Sequence, residues 1–418
     1  MNESAVRAAC TIVSPNYLSF ARVLATSYMA QHPAHRFFVL IVADISVAEG
    51  YVFACDGAVY TAVMLEEIGL ADLRCVAMKY DILELNTNVK PTFMQYLLKR
   101  YELGSLVYLD PDIFVYSPLT PVFEALDASA SAVLTPHITM PYNDDKEPSE
   151  QDILYNGTYN LGFVAVRACA EGLRLLRWWE SRCLTLGFSE GRTGLFVDQK
   201  WMNLATGLFG DVHILRHPGC NMAYWNLHER GLVAHEGTYL VDSGRAELQN
   251  LCFFHFSGVV VSDAALLSKH TNRFALADRP DLTEIFAFYK AAVLEKQSNQ
   301  LEGTPYGFDH FSDKTAVTRL ARRIYAQHQG RWAGEDPFDS RGNFAEFAGR
   351  LRLVAGKIEP PKATWREFNA TDGRVKMVHR LLKAALRVLG PNRYELLMRY
   401  LSHISVLRHQ SVFLDDKQ

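Results

Sequence analysis

The feature that most constrains the fold is the alternation of strand-like and helix-like segments over the first two-thirds of the chain. Apolar runs predict buried strands at 8–14, 37–44, 58–65, 105–110, 130–136, 160–167 and 211–216. Between the first two, Phe20, Val23 and Leu24 recur at helical spacing, which predicts an amphipathic helix. Buried strands that alternate with helices are typical of a mostly parallel sheet covered on both faces. The sequence therefore predicts an α/β fold.

The pattern changes near residue 280. Helical patterns follow at 282–296, 313–328, 341–354, 373–389 and 392–406, with no convincing strand among them. A length of 418 residues fits two or three domains, or one large α/β unit with an appendage. We therefore expect an α/β domain over 1–280 and a mainly helical region over 281–418.

Composition excludes several classes of protein. Apolar residues make up 49% and charged residues 21% of the chain, as in soluble globular proteins, and a net charge of −3 gives no bias toward nucleic acid. The seven cysteines are odd in number and contain no CxxC pair, which argues against a disulfide framework and a zinc site. The first residues lack a signal-peptide pattern, and no apolar run reaches the ~20 residues that span a bilayer. We expect a cytoplasmic protein.

The segment 373–389 predicts a basic amphipathic helix. Its apolar positions share one face, and Lys376, Arg380, Lys383 and Arg387 fall on the opposite face. Two interpretations stay open at this stage. The helix either packs on its own domain with a solvated basic face, or contacts an anionic membrane surface from the cytoplasmic side.

Two acids interrupt the apolar run LVYLDPDIFVY at 106–116. Pro111 removes a backbone donor, so we expect the chain to leave the sheet between Asp110 and Asp112. Both acids then lie at the carboxyl end of a core strand, where open α/β sheets bind ligands. Such carboxylates suit Mg²⁺ or Mn²⁺ together with a diphosphate. A surface turn is the alternative, because aspartate and proline favour turns.

Three later segments add candidates for the same site. His255 ends the apolar run LCFFHFSG and is either a core histidine or an imidazole ligand. Asn160 lies at the very start of the strand predicted at 160–167. Asp198 and Gln199 begin VDQKWMNLA, where Asp198 is either a helix cap or a site residue.

These motifs together resemble the retaining glycosyltransferases of the GT-A fold that include glycogenin and bacterial lipopolysaccharide galactosyltransferases. NYL after the first strand, YLDPDI, NLGF, DQKWMN and HFSG follow in the family's order over residues 10–258. The resemblance does not cover the C-terminal region. It implies that 1–280 is a GT-A catalytic domain, in a divergent bacterial branch that makes polysaccharides.

The resemblance also implies roles for individual residues. Asp110, Asp112 and His255 would ligate Mn²⁺ or Mg²⁺, and Asp110 would also contact the ribose. Tyr17 would lie by the nucleobase, and Lys90 and Gly258 would contact the donor. Asn160, Asp198 and Gln199 would line the donor sugar, with Gln199 at the position of the family's nucleophile or stabilising group.

One departure from the family concerns the residues after HFSG. The family continues with a KPW triplet whose lysine neutralises the diphosphate, whereas this chain continues VVVSDAALLSKHTNRF. We expect Lys269, with His270 and Arg273, to supply that charge; surface residues of a helix are the alternative. Because of this departure, we do not assign the donor sugar of the family to this chain.

The stretch CNMAYWNLHERG at 220–231 combines aromatic and amide side chains, which suit sugar recognition. We assign Tyr224, Trp225 and Asn226 to a wall for the acceptor or the donor sugar. A core role for Trp225 is the alternative.

The sequence thus predicts a metal-dependent hexosyltransferase that moves a sugar from a nucleotide sugar, with UDP favoured, to a glycan or lipid-linked acceptor. An inverting GT-A transferase with Asp198 as general base is the nearest alternative. A haloacid-dehalogenase-type phosphohydrolase also uses Asp-x-Asp, but its pattern has Thr or Val where this chain has Phe114. A non-catalytic sugar-binding protein, with the acids in a turn, is the remaining alternative.

Overall fold

The structure is a computed structural model that describes residues 6–44, 59–245, 247–297, 303, 306–356 and 373–410. The chain divides into two compact units. The first comprises Met1–Leu73 and Ile82–Gly307, and the second comprises Arg74–Asp81 and Phe308–Gln418. Of the predicted strand 58–65, residue 58 lies outside the described residues.

The strands and helices have the following bounds. The strands are β1 Arg7–Val13, β2 Arg36–Ile41, β3 Thr61–Met64, β4 Ser105–Leu109, β5 Ile113–Val115, β6 Ala132–Pro136, β7 Tyr159–Arg167, β8 Ser189–Glu190, β9 Leu195–Phe196, β10 Val212–Ile214, β11 Gly231–His235, β12 Thr238–Asp242, β13 Gln249–Asn250, β14 Phe253–His255, β15 Ala316–Val317 and β16 Val354–Ala355. The helices are α1 Leu18–Gln31, α2 Leu73–Lys79, α3 Ile82–Asn88, α4 Lys90–Arg100, α5 Thr120–Asp127, α6 Glu150–Asn156, α7 Ala170–Leu186, α8 Ala205–Leu208, α9 Thr283–Lys296, α10 Arg319–His328, α11 Asn343–Arg350 and α12 Gly373–Ile404.

The first unit is built on a seven-stranded sheet with the strand order β10-β6-β7-β4-β1-β2-β3. Strand β7 runs antiparallel to β4 and β6, and the other neighbours are parallel. The prediction of an α/β fold is therefore confirmed, with a mixed rather than wholly parallel sheet. The reversal at β7 brings its first residues to the edge where β4 ends.

Helices cover both faces of this sheet, as predicted. Alternate strand residues such as Val107 and Phe163 share one buried cluster with α1 and α5. On the other face, the Lys90 ammonium of α4 lies 4.1 Å from the centre of the Tyr108 ring. A side chain at Gly172 of α7 would meet Val166 of β7 on that same face.

A two-stranded ladder positions the end of β14 beside the start of β5. The two strands are antiparallel, with His255 opposite Ile113 and Phe253 opposite Val115. Backbone bonds extend the pairing, because Phe256 N–H donates to Asp112 O at 2.8 Å. His255 is therefore held next to the residue that follows Asp112.

The second unit contains α10, α11 and a short β15–β16 ladder. The expectation of no strand after residue 280 is wrong for β15 and β16. Each of these strands is only two residues long, which is too short to show an apolar periodicity in the sequence. Arg322 is buried, and its guanidinium donates to the backbone oxygens of Ala77, Tyr80 and Phe308. Helix α9, predicted within the helical region, packs against α1 in the first unit. The domain boundary at 280 stays a prediction.

Helix α12 differs from the other long helices because none of its residues is buried. It is interrupted at Gly390, where φ is 72° and Pro391 follows. The exposed apolar side chains before the break include Val378 and Leu381, at 49% and 63% exposed. Within the described residues, we find no helix long and apolar enough to cross a membrane.

Candidate active site

Three predicted metal ligands converge at the carboxyl end of β4. Asp110 follows β4, Asp112 precedes β5, and Ile113 N–H donates to Asp110 O across the turn at 3.1 Å. One ligand atom from each of Asp110, Asp112 and His255 lies within 4.8 Å of the others. The turn predicted as one alternative therefore brings together the three residues predicted as ligands in the other.

The cluster combines one buried imidazole with two partly exposed carboxylates. His255 Nε2 lies 2.9 Å from Asp112 Oδ1 and 3.9 Å from Asp110 Oδ2. The side chains of Asp110 and Asp112 are 32% and 22% exposed, whereas that of His255 is 3% exposed. Burial opposes the charged imidazole, but the two carboxylates outweigh it and raise the pKa of His255.

Gly162 of β7 leaves the space in which the cluster assembles. A Cβ at this position would lie 2.4 Å from His255 Cε1 and 2.8 Å from both Asp110 Oδ2 and Asn160 Oδ1. Gly162 O also accepts a bond from Asp110 N–H at 2.7 Å. The glycine in NLGF is thus required by the close approach of three side chains.

Asn160 lies beside the cluster and is held by a buried polar network. Its Oδ1 accepts from Asn221 Nδ2 at 3.1 Å and from Gly162 N–H at 3.2 Å. Its Nδ2 lies 3.3 Å from His137 Nε2, and His137 Nδ1 lies 3.2 Å from Thr158 O. These contacts assign a neutral His137 that donates from Nδ1 and accepts at Nε2. Burial lowers the pKa of His137 to about 4.

Gln199 is positioned against the first residues of β7. Its Oε1 accepts from Leu161 N–H at 3.0 Å, and its Nε2 donates to Asn156 O at 3.1 Å. The side chain is nearly buried, and a side chain at Gly157 would meet it at 3.3 Å. Both ends of the amide are bonded, so its orientation is fixed next to Asn160.

Lys90 and Asp198, which were both predicted to contact the donor, bind each other in this structure. They form a buried ion pair with Lys90 Nζ at 2.6 Å from Asp198 Oδ2, and both side chains are 2% exposed. Lys90 also donates to Leu161 O at 2.8 Å. Burial raises the pKa of Asp198, although the charge of Lys90 opposes the rise. The pair is thus bonded to the backbone of β7 at Leu161, and its contact with a donor stays a prediction.

A cleft of about 350 Å³ opens beside the two acids. Its lining residues come from the end of β1, the following turn, α3 and the Asp110–Asp112 turn: Ile12, Val13, Ser14, Asn16, Tyr17, Ile82, Leu83, Asn86, Thr87, Tyr108, Asp110, Pro111 and Asp112. Tyr17 is 45% exposed, and its ring stacks on Phe20 at 5.0 Å. The size lies within the range of small-molecule sites.

The segment predicted as a sugar wall is only partly available. Trp225 is 2% exposed and packs edge-on against the rings of His255 and His137, each at 5.2 Å. Asn226 is fully buried and donates to His137 O and Asn221 O, so its side chain is not exposed to a sugar in this structure. Tyr224 is half-buried and is the most accessible of the three side chains.

The residues after HFSG fold back toward the acids. Gly258 has a φ of 73°, and a side chain there would meet His270 at 2.4 Å and Ser268 at 2.5 Å. Lys269 is exposed, and its N–H donates to Gly258 O. The charge of Asp112 acts on His270 and partly offsets the lowering of its pKa by burial. Arg273 differs from the prediction: its guanidinium pairs with Asp144 at 2.9 Å and donates to Pro148 O, which anchors the loop.

Sequence reasoning missed His137 and Asn221, which orient Asn160, and Asn86 in the cleft. Asn86 Nδ2 donates to Ser14 Oγ at 2.8 Å, while its Oδ1 is buried without a hydrogen-bond partner among the described residues. Lone amides and a lone histidine carry no local signal, because their role depends on partners far away in the chain.

Comparisons with known proteins give distant similarities. No protein-family model matches the chain. Two curated proteins of Bacillus subtilis (strain 168), the uncharacterized proteins YfnF and YfnD, are 30% and 26% identical to it over 171 and 173 residues. Each alignment covers 41% of this chain and 55% or 52% of the relative. The chain spans about half the length of the curated relatives it matches.

Solved structures are similar to part of the chain. The galactosyltransferase LgtC, in complex with donor and acceptor sugar analogs, is 15% identical to this chain, with a TM-score of 0.40. The match covers 68% of this chain and 95% of the LgtC chain. A glycosyltransferase involved in glycosylation of the major capsid of PBCV-1 is 10% identical, with 61% and 94% covered and a TM-score of 0.34. At these scores neither similarity assigns an activity to this chain.

Proposed function

We propose that this chain is a metal-dependent glycosyltransferase with a GT-A catalytic domain, which moves a sugar from a nucleoside-diphosphate sugar to a hydroxyl group and retains the anomeric configuration. The observation that carries the proposal is the convergence of Asp110, Asp112 and His255 at the edge of a ligand-sized cleft. The donor favoured is a UDP-sugar. The nucleoside would occupy the cleft beside Tyr17, with its diphosphate toward the acids.

The ligand set fits Mn²⁺ or Mg²⁺. Two carboxylates supply hard oxygen ligands, the imidazole supplies a nitrogen that Mn²⁺ accepts readily, and the partial exposure of both acids leaves room for phosphate oxygens. A metal bound there would neutralise the charge that develops on the departing diphosphate. Tyr108 OH donates to Asp110 Oδ1 at 2.7 Å and orients that carboxylate.

The remaining residues of the site favour a positively charged sugar. The amide oxygen of Asn160 lies beside the cluster, and Gln199 is fixed next to it by two backbone bonds. Preorganised dipoles of this kind stabilise developing charge without reorganisation. Lys269 and His270 are the groups proposed to contact the diphosphate from the loop that folds over Gly258.

The burial of Asp198 favours the retaining reaction over the inverting alternative. A general base must reach the acceptor hydroxyl within hydrogen-bond distance, directly or through one water. The Asp198 carboxylate is 2% exposed and bound to Lys90, so it would have to leave that ion pair to act as a base.

The acceptor is proposed to be a glycan or a lipid-linked saccharide, approached from the cytoplasmic side of a membrane. The exposed basic and apolar faces of 373–389 support peripheral contact with anionic lipid. Tyr224, whose ring lies 6.0 Å from that of His270, is proposed to contact the acceptor.

A donor screen tests the proposal. The full chain is incubated with Mn²⁺ and UDP-, GDP-, dTDP- or CMP-sugars, and the released sugar is quantified. We expect slow hydrolysis of one donor class, abolished by a chelator and by Asp112→Asn. Glu236→Gln removes a charge from a side chain that is 85% exposed and serves as the matched control.

If no donor is bound or hydrolysed, or if Asp112→Asn hydrolyses the donor as fast as Glu236→Gln, the proposal is wrong. Proton NMR of the anomeric configuration in a transfer product separates retention from inversion.

A further inference from the structure

A second group of metal-binding side chains lies at the other end of β14. One ligand atom from each of His217, Cys220 and Cys252 lies within 4.8 Å of the others. We propose that these three residues form a second metal site that holds a thiophilic ion, Zn²⁺. The site uses none of the residues of the donor site and does not depend on the proposed transferase activity.

The backbone brings the three ligands together through a tight turn. Cys220 N–H donates to His217 O at 3.0 Å, which places His217 and Cys220 at the two ends of the turn. Cys252 N–H donates to Gly219 O at 2.8 Å, so the third ligand is fixed to the same turn. A side chain at Gly219 would lie 1.9 Å from Asn250 O, so the approach requires glycine.

The hydrogen bonds of His217 select the tautomer that a metal site needs. Its Nε2 lies 3.2 Å from Gln249 Oε1, which accepts only, so Nε2 carries the proton. Nδ1 is then the acceptor nitrogen; it takes a bond from Gly219 N–H at 3.2 Å, which an ion bound at Nδ1 would replace. Histidine ligands commonly donate their second nitrogen to such an oxygen, which orients the ring.

The two sulfurs are buried next to a fixed positive charge. Buried Arg230 donates to the backbone oxygens of Pro218 and Cys220. Its guanidinium lies 3.6 Å from the carboxylate of Glu229, which balances its charge. Two cysteines that bind as thiolates would balance a divalent ion, so the group would be neutral with the ion bound.

The ligand set and its access fit zinc. Zinc sites combine cysteine and histidine in tetrahedral geometry, and three protein ligands leave one position for water. His217 also lines an open cleft of about 560 Å³ with Arg216, Arg245, Glu247 and Gln249, so an ion can enter from solvent. The sulfur atoms distinguish this site from the oxygen-rich donor site, which suits Mn²⁺ or Mg²⁺.

The consequence concerns the active site, because β14 begins directly after Cys252 and ends at His255. An ion at the start of this strand would fix the segment that carries His255 and the segment that carries Asn221. Ligand binding to the folded state stabilises it by mass action. We therefore expect bound zinc to raise the melting temperature of the protein.

Cobalt substitution tests the site with a signal that the donor site does not give. Co²⁺ bound to two thiolates shows intense thiolate-to-metal charge transfer in the near ultraviolet, whereas Co²⁺ at Asp110, Asp112 and His255 has no sulfur ligand. We expect the reduced full chain to take up one equivalent with this band and to lose the band when Zn²⁺ is added. Asp112→Asn should keep the band.

Ligand variants and a matched cysteine decide the assignment. Cys220→Ser, Cys252→Ser and His217→Gln should lose the band, whereas Cys75→Ser, in the second unit, should keep it. Far-ultraviolet circular dichroism confirms that each variant folds, and His217→Gln changes the most exposed ligand of the three. The proposal is wrong if the reduced wild type gives no thiolate band, if the band survives in Cys220→Ser, or if mass spectrometry finds a Cys220–Cys252 disulfide in the protein as purified.

Discussion

The Lys90–Asp198 pair and the Asp110–Asp112–His255 cluster lie on the same side of the sheet but differ in how completely their charges are compensated. In the pair, one ammonium meets one carboxylate at 2.6 Å, and both side chains are 2% exposed. In the cluster, two partly exposed carboxylates share a single imidazole. The pair is complete within the protein, whereas the cluster keeps excess negative charge that a cation would neutralise.

This difference is the reason to propose a structural role for Asp198 and a ligand-binding role for Asp110 and Asp112. All three acids belong to short sequence motifs, and the motifs alone do not show which role each acid has. The burial of each carboxylate and the number of its charged partners distinguish the roles, because a buried carboxylate needs a fixed partner and a solvent-exposed carboxylate does not.

The largest expected effect is on the buried pair. Lys90→Met leaves the Asp198 carboxylate buried without its partner, which should lower the free energy of unfolding by about 3–5 kcal/mol. The double variant Lys90→Met with Asp198→Asn should recover part of the loss. Chemical unfolding measures both.

An exposed pair provides the matched control. Arg399 and Glu395 form an i,i+4 ion pair with side chains 76% and 62% exposed. Arg399→Met should change stability by less than about 0.5 kcal/mol. If Lys90→Met keeps wild-type stability and only weakens donor binding, then Lys90 faces the donor and the comparison fails.

Gly162→Ala should disturb the cluster itself. A Cβ 2.4–2.8 Å from three side chains forces them apart, at a cost of about 1–3 kcal/mol in stability. A shift of this size should also lower the rate of donor hydrolysis by roughly 100-fold. Gly207→Ala is the control, since a side chain there meets nothing within 4 Å. Equal activity of the two variants would contradict the close convergence at Gly162.

The His137 network should give the stability of the first unit a pH dependence. The pKa of His137 is lowered to about 4 in the folded protein, against about 6.5 when unfolded. Between these values the unfolded chain binds a proton that the folded one does not, so stability is lost as the pH falls below about 6.5. The contribution reaches about 2 kcal/mol at a pH of about 5.

Unfolding curves of His137→Gln at several pH values measure this contribution, because the variant should lose less stability on acidification than the wild type. His235→Gln, on an exposed strand, should keep the wild-type dependence. An identical pH profile for wild type and His137→Gln would mean that the neutral His137 does not hold Asn160.

The smallest effect is expected at the exposed helix α12. Lys383→Gln should weaken binding of the full chain to anionic vesicles by about 1 kcal/mol, or roughly fivefold, at low salt. Arg399→Gln, beyond the break at Gly390, removes an equal charge from a paired residue and should have a smaller effect. Vesicle co-sedimentation measures both, and no binding by the wild type would exclude the membrane contact.

The sequence predicted the seven strands of the central sheet because a run of apolar residues reports burial directly. It did not predict the reversal at β7, since a strand buried on both faces has the same apolar run whichever way it points. The candidate metal ligands were predicted from motifs, and the structure brings them together. The sequence did not predict that Lys90 pairs with Asp198, because a buried lysine needs a partner and this one lies 108 residues away.

The thiol cluster was also missed, for a related reason. The usual sequence signal for such a site is a pair of cysteines two residues apart. This turn instead has His217 and Cys220 at its ends, and the third residue, Cys252, lies between β13 and β14. Sites assembled from distant segments leave no periodic signal in any one of them.

The most direct test of the central claim is nucleotide binding with and without metal. UDP is titrated into the wild type, Asp112→Asn and Glu236→Gln by calorimetry, each in Mn²⁺ and in chelator. The account predicts that Mn²⁺ tightens UDP binding to the wild type and to Glu236→Gln by at least about tenfold, or about 1.4 kcal/mol. It predicts that Mn²⁺ leaves the affinity of Asp112→Asn for UDP unchanged. Equal affinity of the wild type with and without Mn²⁺, or an unaltered Mn²⁺ effect in Asp112→Asn, would contradict it.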